Sequence, residues 1–303
     1  MIPTLGEIGT GLLIALAAAC APGAQRFAPG VVSSGDAIAL TFAPDGHTIY
    51  FVKTGRARAH TRLMTARLEG DAWLAPEPAG FGDPDATELS PFAAPDGAIY
   101  FASSRPRAPG DTRGDLDLWV VRPTPGGMAP PQHLGPPIES PALEVAPSVT
   151  RDGTLYFTSG RAEPPGIYRA ERRGDGYAEP ERLPDSINRP GGYTSTPFIA
   201  PDESYLLFYF QPVGPAGIGQ SDLYVSWRRA GRWSAPQPLG PEVNTAEYGE
   251  FSPSVSPDGR YLYFARNQVR SYEPTLDIAW EDIFYLPVAR IDALRTGGSA
   301  RRD

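Results

Sequence analysis

The sequence predicts an all-β protein, a five-bladed β-propeller made of four-stranded antiparallel blades. A turn motif recurs five times along the 303 residues, at intervals of 51, 56, 50 and 56 residues. Short β-prone runs flank every turn, and 33 glycines and 35 prolines are spread through the chain. A period near fifty residues with strands inside it is typical of a propeller and not of a helical solenoid.

The recurring turn is clearest in its last copy, Ser-Pro-Asp-Gly at residues 256–259. Proline fixes its own φ, aspartate offers a side-chain acceptor, and glycine accepts a positive φ, which together favour a tight reversal. The other copies are Asp45-Gly46, Asp96-Gly97, Asp152-Gly153 and Asp202-Glu203. A proline precedes the aspartate in every copy except the third, where Arg151 takes its place.

Each repeat is expected to contain four strands. The first precedes the turn and the second follows it. The third is an aromatic and aliphatic run, as at 117–120 and 222–225, and the fourth follows an aromatic residue and a proline, as at Trp233 and Pro236. Aromatic residues that recur at fixed blade positions are expected in the core between blades.

The fifth repeat lacks a fourth strand, because after Val288 the chain runs into a predicted short helix over 289–295. The segment 27–32 resembles the missing piece, so an N-terminal strand is expected to complete the last blade and close the ring. Closure removes two exposed sheet edges. The alternative, a ring of six blades, would need a sixth turn motif.

The N-terminus has the features of an export signal. Apolar and small residues run from Ile8 to Ala19, and the single cysteine, Cys20, follows them directly. This pattern resembles a bacterial lipoprotein signal, in which Cys20 is lipidated; simple secretion and a retained anchor are the alternatives. The predicted organisation is a signal peptide at 1–19, an anchor linker at 20–25, the propeller at 26–295 and a disordered tail at 296–303.

The repeat resembles a known family. Ser-Pro-Asp-Gly, then Leu-Tyr-Phe, Asp-Leu-Tyr-Val and Leu-Gly-x-x-Val-Asn-Thr are similar to the WD-like propeller repeats of TolB-type proteins, and most of all to those of OmpA-associated bacterial envelope proteins. The resemblance covers about residues 26 to 288. It implies an exported propeller in the periplasm or at the outer membrane that binds an envelope protein or a polar or saccharide ligand.

Charge narrows the range of partners. The net charge is −8 and the isoelectric point is near 5.0, which argues against nucleic acid and against an anionic membrane surface. We therefore expect membrane contact only through the lipid anchor, and a monomer. No motif calls for a cofactor, and no metal site is predicted, because Asp111, Asp115 and Asp117 lack the spacing of a calcium loop.

Three blades carry a glutamate and an arginine at nearly equal distances from the centre of the turn. Residues placed in this way face one another across an antiparallel hairpin. Since inner strands line a propeller's channel, the pairs are the candidate binding residues at its mouth; the alternative is that each pair only fastens its own hairpin. The pairs are Glu88 with Arg105, Glu144 with Arg161, and Glu250 with Arg266.

Two functions compete on this basis. The main expectation is a non-catalytic binding or scaffold propeller of the cell envelope, because the glutamates belong to the repeat and an opposite arginine makes a carboxylate a poor general acid. The alternative is a carbohydrate-active hydrolase that uses Glu88, Glu144 or Glu250. Two aromatic residues outside the repeat, Tyr272 and Trp280, are predicted as contacts on a rim loop.

Overall fold

Antiparallel sheets ringed round one axis form a five-bladed β-propeller, which confirms the predicted fold class. The computed structural model describes residues 23–294 except 56–57, 59, 215–216, 219, 272–275 and 292. Cys20, Tyr272, the predicted signal peptide and the predicted tail lie outside the described residues. None of the described helical segments has the length and apolar character that a membrane crossing requires.

The strands of each blade follow one another from the axis outwards. Blade 1 comprises Ala37–Phe42, Thr48–Thr54, Thr61–Glu69 and Glu77–Pro78. Blade 2 comprises Glu88–Ala93, Ile99–Ser103, Asp117–Val121 and Gln132–His133. Blade 3 comprises Glu144–Val149, Leu155–Ser159, Gly166–Ala170 and Glu181–Arg182. Blade 4 comprises Gly192–Ile199, Tyr205–Gly214, Asp222–Arg229 and Gln237–Pro238. Blade 5 comprises Gly249–Val255, Tyr261–Ser271, Asp277–Pro287 and, as its fourth strand, the N-terminal Gln25–Arg26.

The described residues also form short accessory strands, which lie outside the four main strands of each blade, and one 3-10 turn. The accessory strands are Ala72–Trp73, Pro123–Thr124, Gly127–Met128, Arg172–Arg173, Gly176–Tyr177, Gly217–Ile218 and Arg232–Trp233. A 3-10 turn spans Val288–Arg290 where the sequence predicts a short helix.

The turn between the first two strands of a blade is built as the motif predicts. In blade 5 the Asp258 carboxylate accepts hydrogen bonds from the Ser256 hydroxyl at 2.6 Å and the Arg260 amide at 3.0 Å. Gly259 has φ 72° and donates its amide to the Ser256 carbonyl at 2.8 Å. Blade 4 has Glu203 with φ 61° in place of glycine. We call the side of the ring that carries these turns the turn face.

Every inner strand makes a β-bulge near its middle. The register with the second strand shifts there in all five blades, and one non-glycine residue adopts a positive φ between 47° and 54°. A proline follows this residue in blades 2 to 5. The five bulge residues are Ala39, Ser90, Ala146, Thr196 and Ser252.

The bulges surround the axis and narrow the channel to a waist. The cavity between them has a volume of about 30 Å³ and is lined by the inner strands of all five blades, which leaves room for little more than one or two water molecules. Hydroxyl groups join neighbouring inner strands there. Thr41 accepts from the Ala93 amide at 3.1 Å, and Ser148 accepts from the Ile199 amide at 2.9 Å.

The N-terminal strand closes the ring, as predicted. Gln25 and Arg26 pair with Tyr285 and Phe284 on the third strand of blade 5, and the Phe27 amide donates to the Ile283 carbonyl at 2.8 Å. The Phe27 ring lies 5.2 Å from the ring of Tyr263 and 5.5 Å from that of Trp73. These contacts join blade 5 to blade 1 and bury the edge that the fifth repeat leaves open.

Replacing Phe27 by alanine is expected to weaken this closure strongly. The side chain is 7% exposed, so its loss should lower the free energy of unfolding by about 3 to 5 kcal/mol, measured by urea denaturation. The matched control is Leu74→Ala at a large apolar residue that is 44% exposed, with an expected change within about 0.5 kcal/mol. Equal effects of the two substitutions would contradict the role of Phe27 in closing the ring.

Candidate functional site

The glutamate–arginine pairs do form, but as buried clamps. In blade 5, Arg266 Nε donates to Glu250 Oε1 at 2.8 Å, and the Thr245 amide and hydroxyl donate to the same carboxylate at 3.2 and 2.9 Å. Arg266 Nη2 donates to the Val243 carbonyl at 2.8 Å. The clamp therefore ties the inner hairpin of the blade to the segment that connects it to the preceding blade.

Blade 3 repeats the arrangement. Glu144 accepts from the Ser140 amide at 3.0 Å, from the Ser140 hydroxyl at 2.7 Å and from the Ser159 hydroxyl at 2.6 Å. Arg161 Nη2 lies 3.6 Å from Glu144 Oε1 and donates to the Ile138 carbonyl.

In blade 2, Arg105 Nη2 contacts Glu88 Oε1 and donates to the Phe81 carbonyl at 3.1 Å. The guanidinium groups of Arg105, Arg161 and Arg266 each also lie over an aromatic ring of their own blade, that of Phe101, Phe157 or Phe264.

The register differs from the symmetric pairing expected from the sequence. Glu250 is opposite Arg266, as expected, but Glu88 is opposite Ser103 and Glu144 is opposite Ser159. The bulge shifts the register by one residue in every blade, and the turn in blades 2 and 3 is one residue shorter than in blade 5, so counting from the turn does not preserve the register. Long arginine side chains bridge the difference of two residues.

The three glutamates, predicted as binding residues at the channel mouth, are buried. Glu88, Glu144 and Glu250 are at most 1% exposed, and each is committed to its clamp. Burial raises the pKa of Glu250 to about 7, against the lowering effect of Arg266 and Thr245. Burial likewise raises the pKa of Glu88, which Arg105 opposes.

A polar cavity lies at the seam between blades 5 and 1. Its volume is about 310 Å³, and Gly35, Asp36, Thr54, Gly55, Arg58, Arg270 and residues 277–281 line it. We call it the junction pocket. The long hairpin of blade 5, Tyr261–Ser271 with Asp277–Pro287, forms one wall, and Thr54, Gly55 and Arg58 of blade 1 line the other.

Two carboxylates meet in the junction pocket. Asp36 and Glu281 pair as neighbouring extended residues, which places their backbones about 5 Å apart. Glu281 is held on both oxygens: Arg58 Nη2 lies 2.7 Å from Oε2, and the Thr54 hydroxyl donates to Oε1. The Glu281 side chain is only 3% exposed, so these contacts fix its carboxylate in position.

Asp36 is the more available of the two carboxylates. Its side chain is 44% exposed. The Ser34 hydroxyl and Lys53 Nζ both contact Oδ1, and no hydrogen bond reaches Oδ2 from the described residues. Asp36 therefore has one carboxylate oxygen open to a bound molecule.

Trp280 lines the junction pocket but precedes Glu281 on one strand, so the two side chains point to opposite faces of that strand. Its role as a rim contact stays a prediction. Its ring is half-buried and packs 5.3 Å from the ring of Tyr248 and 6.1 Å from that of Phe284. The Arg26 guanidinium lies 5.8 Å from the Trp280 ring centre. These contacts fix the position of the indole.

Sequence reasoning missed Asp36, Arg58 and Glu281. None of them belongs to the repeat, and Asp36 and Glu281 come from opposite ends of the chain. The sequence contained one signal that could have indicated this site. The fifth repeat has an unusually long insertion, and two consecutive acidic residues, Glu281 and Asp282, stand next to it.

The acidic loop of blade 2 forms an ion-pair cluster. Asp111 and Asp115 lie 2.9 and 2.7 Å from the guanidinium of Arg107, and Asp117 also contacts it. Within the described part of the chain, no group of three or more His, Cys, Asp or Glu side chains is placed to hold a metal ion.

The molecule is thus a five-bladed propeller with a carboxylate-bearing pocket at its closing seam. No model of a known protein family matches the chain, and no curated protein matches it. Solved structures do resemble it. The catalytic domain of a GH62 α-L-arabinofuranosidase from Coprinopsis cinerea matches with a TM-score of 0.52 and 13% identity, over 88% of this chain and 95% of that one.

Two further structures extend the comparison. The GH43B protein of the Bacteroides ovatus xyloglucan PUL matches with a TM-score of 0.53 and 14% identity, over 87% of this chain and 54% of its own. A puromycin-hydrolyzing peptidase from Mycobacterium tuberculosis matches with a TM-score of 0.43 and 14% identity, over 77% of this chain. This chain spans 34% of that peptidase. At these identities the likeness shows the propeller fold.

The prediction of a non-catalytic scaffold is wrong on this comparison. The finding that overturns it is that GH62 and GH43 proteins recur among the similar structures, with TM-scores of 0.50 to 0.53. Glu88, Glu144 and Glu250, the residues named for the alternative of a carbohydrate-active hydrolase, lie buried in clamps.

The raised pKa of Glu250 predicts a pH-dependent stability. Its folded-state pKa of about 7 exceeds the ordinary value of 4.5, so the stabilising contribution is complete below pH 4.5 and is lost as the pH rises through 7. Between pH 5 and 7.5 the wild type should lose about 2 kcal/mol more unfolding free energy than the Glu250→Gln variant. Urea unfolding at both pH values measures the difference.

The matched control for this experiment is Glu171→Gln, at a carboxylate that is 55% exposed on an outer edge. It should keep the pH dependence of the wild type. An unchanged pH dependence in Glu250→Gln would show that Glu250 releases its proton equally in the folded and unfolded states.

Proposed function

We propose that this protein is a carbohydrate-active hydrolase and that the junction pocket is its active site. The observation that carries the proposal is the pairing of Asp36 and Glu281 in one polar pocket. Glycoside hydrolysis uses two carboxylates that flank the scissile bond, one to transfer a proton and one to act on the opposite side of the sugar ring.

The two carboxylates have different surroundings, which suit different roles. Asp36, half-exposed and with a free Oδ2, is assigned the proton transfer to or from water and the leaving group. Glu281, fixed by Arg58 and Thr54, is assigned the electrostatic stabilisation of the positive charge that develops on the sugar ring. A fixed anion needs no reorganisation when that charge appears.

The other walls of the pocket fit a sugar. Charged groups in the lining, such as Arg270, can bond the hydroxyls of a sugar. The pocket volume of about 310 Å³ lies at the lower end of ligand-binding cavities. It therefore fits one or two sugar units better than a long oligosaccharide.

The names of the similar structures suggest the first substrates to test. They include α-L-arabinofuranosidases, an endo-arabinanase and a protein of a xyloglucan PUL. We take pentose-containing plant polysaccharides, and arabinofuranosyl branches in particular, as the substrate class. Export is proposed on the sequence of residues 8–20 alone, and it would bring the enzyme to such polymers outside the cytoplasm.

Hydrolysis of 4-nitrophenyl α-L-arabinofuranoside and of arabinoxylan tests the proposal. Asp36→Asn should lower kcat/KM at least 100-fold, because it removes the proton-transfer group, while the melting temperature changes little at this half-exposed position. Glu171→Gln, far from the pocket, is the matched control and should keep full activity. Either no hydrolysis by the wild type across arabinoside, xyloside and galactoside substrates, or full activity of Asp36→Asn, would overturn the assignment.

A second variant separates the two roles. Glu281→Gln should also abolish activity, but it leaves Arg58 without its buried partner and should lower stability by about 3 kcal/mol. Thermal unfolding recorded beside the activity assay distinguishes the two variants.

The lipid anchor remains a prediction with its own test. Mass spectrometry of the mature N-terminus should detect a diacylglycerol adduct on Cys20 that the Cys20→Ser variant lacks. A mature protein without an adduct would contradict the prediction and leave secretion or a retained anchor.

A further inference from the structure

The channel opens on the turn face into a second cavity, separate from the junction pocket. Its volume is about 350 Å³, and all five blades contribute to its wall. We call it the axial cup and define it by Phe42, Phe92, Arg151, Phe198, Tyr205 and Val255. It meets the waist at Thr41, Phe92 and Phe198, which line both cavities.

The wall of the axial cup is largely apolar. Phe92 and Phe198 face one another with their ring centres 6.3 Å apart, and Tyr205 packs 6.4 Å from Phe198. Four turn prolines complete the rim, one each from blades 1, 2, 4 and 5. Proline has no amide hydrogen to offer, so this part of the wall favours an apolar and rigid molecule.

Arg151 is the single charged residue in the lining of the cup. It occupies the position that is proline in the other four turns. The residue is exposed, and its guanidinium makes no ion pair, hydrogen bond or ring contact with the described part of the protein. An unpaired arginine at the rim of an apolar cavity is suited to bind a carboxylate through two parallel hydrogen bonds.

A structural role accounts for only part of Arg151. Its backbone amide donates to the Pro201 carbonyl of the next blade at 2.9 Å, which explains why the residue is not proline. Any other amino acid would supply the same amide. The long charged side chain therefore has no structural explanation, and substitutions that keep the amide can test it separately.

The rim of the turn face is not uniformly basic. The turn aspartates surround it, but their carboxylates accept hydrogen bonds from their own turns, as Asp96 does from Ala98 at 3.0 Å and Asp258 from Arg260. Arg122 lies 3.7 Å from Asp96. An anion is therefore expected to bind only where it can reach Arg151 with its apolar part inside the cup.

We propose that the axial cup binds a small aromatic carboxylate, with its ring against Phe92 and Phe198 and its carboxylate on Arg151. The volume accommodates one or two fused rings and excludes larger molecules. This site does not depend on the proposed hydrolase activity, because the waist separates it from the other face of the ring and no residue is shared with the junction pocket.

Titration of the full chain with naphthalene-2-carboxylate, followed by the ligand's fluorescence and by calorimetry, tests the proposal. The wild type should bind one equivalent saturably. Arg151→Ala should weaken binding at least tenfold, and Arg151→Lys should restore part of the loss, since both retain the amide that bonds to Pro201. Arg122→Ala, another turn-face arginine outside the cup lining, is the matched control and should bind as the wild type does.

The uncharged analogue naphthalene-2-carboxamide separates charge from shape. It should bind at least tenfold more weakly than the carboxylate, with an affinity that Arg151→Ala leaves unchanged. Absence of saturable binding to the wild type at millimolar ligand, or equal affinity in Arg151→Ala, would overturn the proposal. Binding only of peptides that carry an aromatic side chain would also overturn it and assign the cup to a protein partner.

Discussion

Five inner strands surround the axis, and the β-bulge of each contains one non-glycine residue with a positive φ. Outside glycine this conformation costs on the order of 1 kcal/mol, so the packing around it must offset the strain five times. Hydroxyl groups such as those of Thr41 and Ser148 bond amides of the neighbouring strand, and the proline after most bulges restricts the alternatives. The waist, the register and the depth of both cavities all follow from this constraint.

The repeat made the architecture predictable. Turn residues with distinct backbone preferences recur at Asp45, Asp96, Asp152, Asp202 and Asp258, and the missing fourth strand of the last repeat has its counterpart in the N-terminal segment. Register was less predictable, because a bulge changes the count of residues without an unmistakable residue type. The proline after the bulge, as in Ser90-Pro91, is a signal that can be recognised once the geometry is known.

The site was harder to predict than the fold, for a physical reason. A repeat identifies residues that every blade needs, and the clamp of Glu250 with Arg266 is such a feature: its partners are the connecting segments of the ring. The residues proposed for function do not follow the repeat. Asp36 and Glu281 stand where the first and last blades meet, and Arg151 stands where four other turns have proline. Ring closure brings the two carboxylates together across nearly the whole chain, and periodicity in the sequence cannot report that contact.

The narrowness of the waist has a consequence for traffic through the molecule. A ring with an open channel could pass a solute from one face to the other. At the waist of this ring the free volume is only about 30 Å³, which holds water and little else. A ligand that enters the channel from one face must therefore leave by the same face. A molecule released on one face can reach the other only by diffusing around the outside of the protein, so the two openings sample the same surroundings independently.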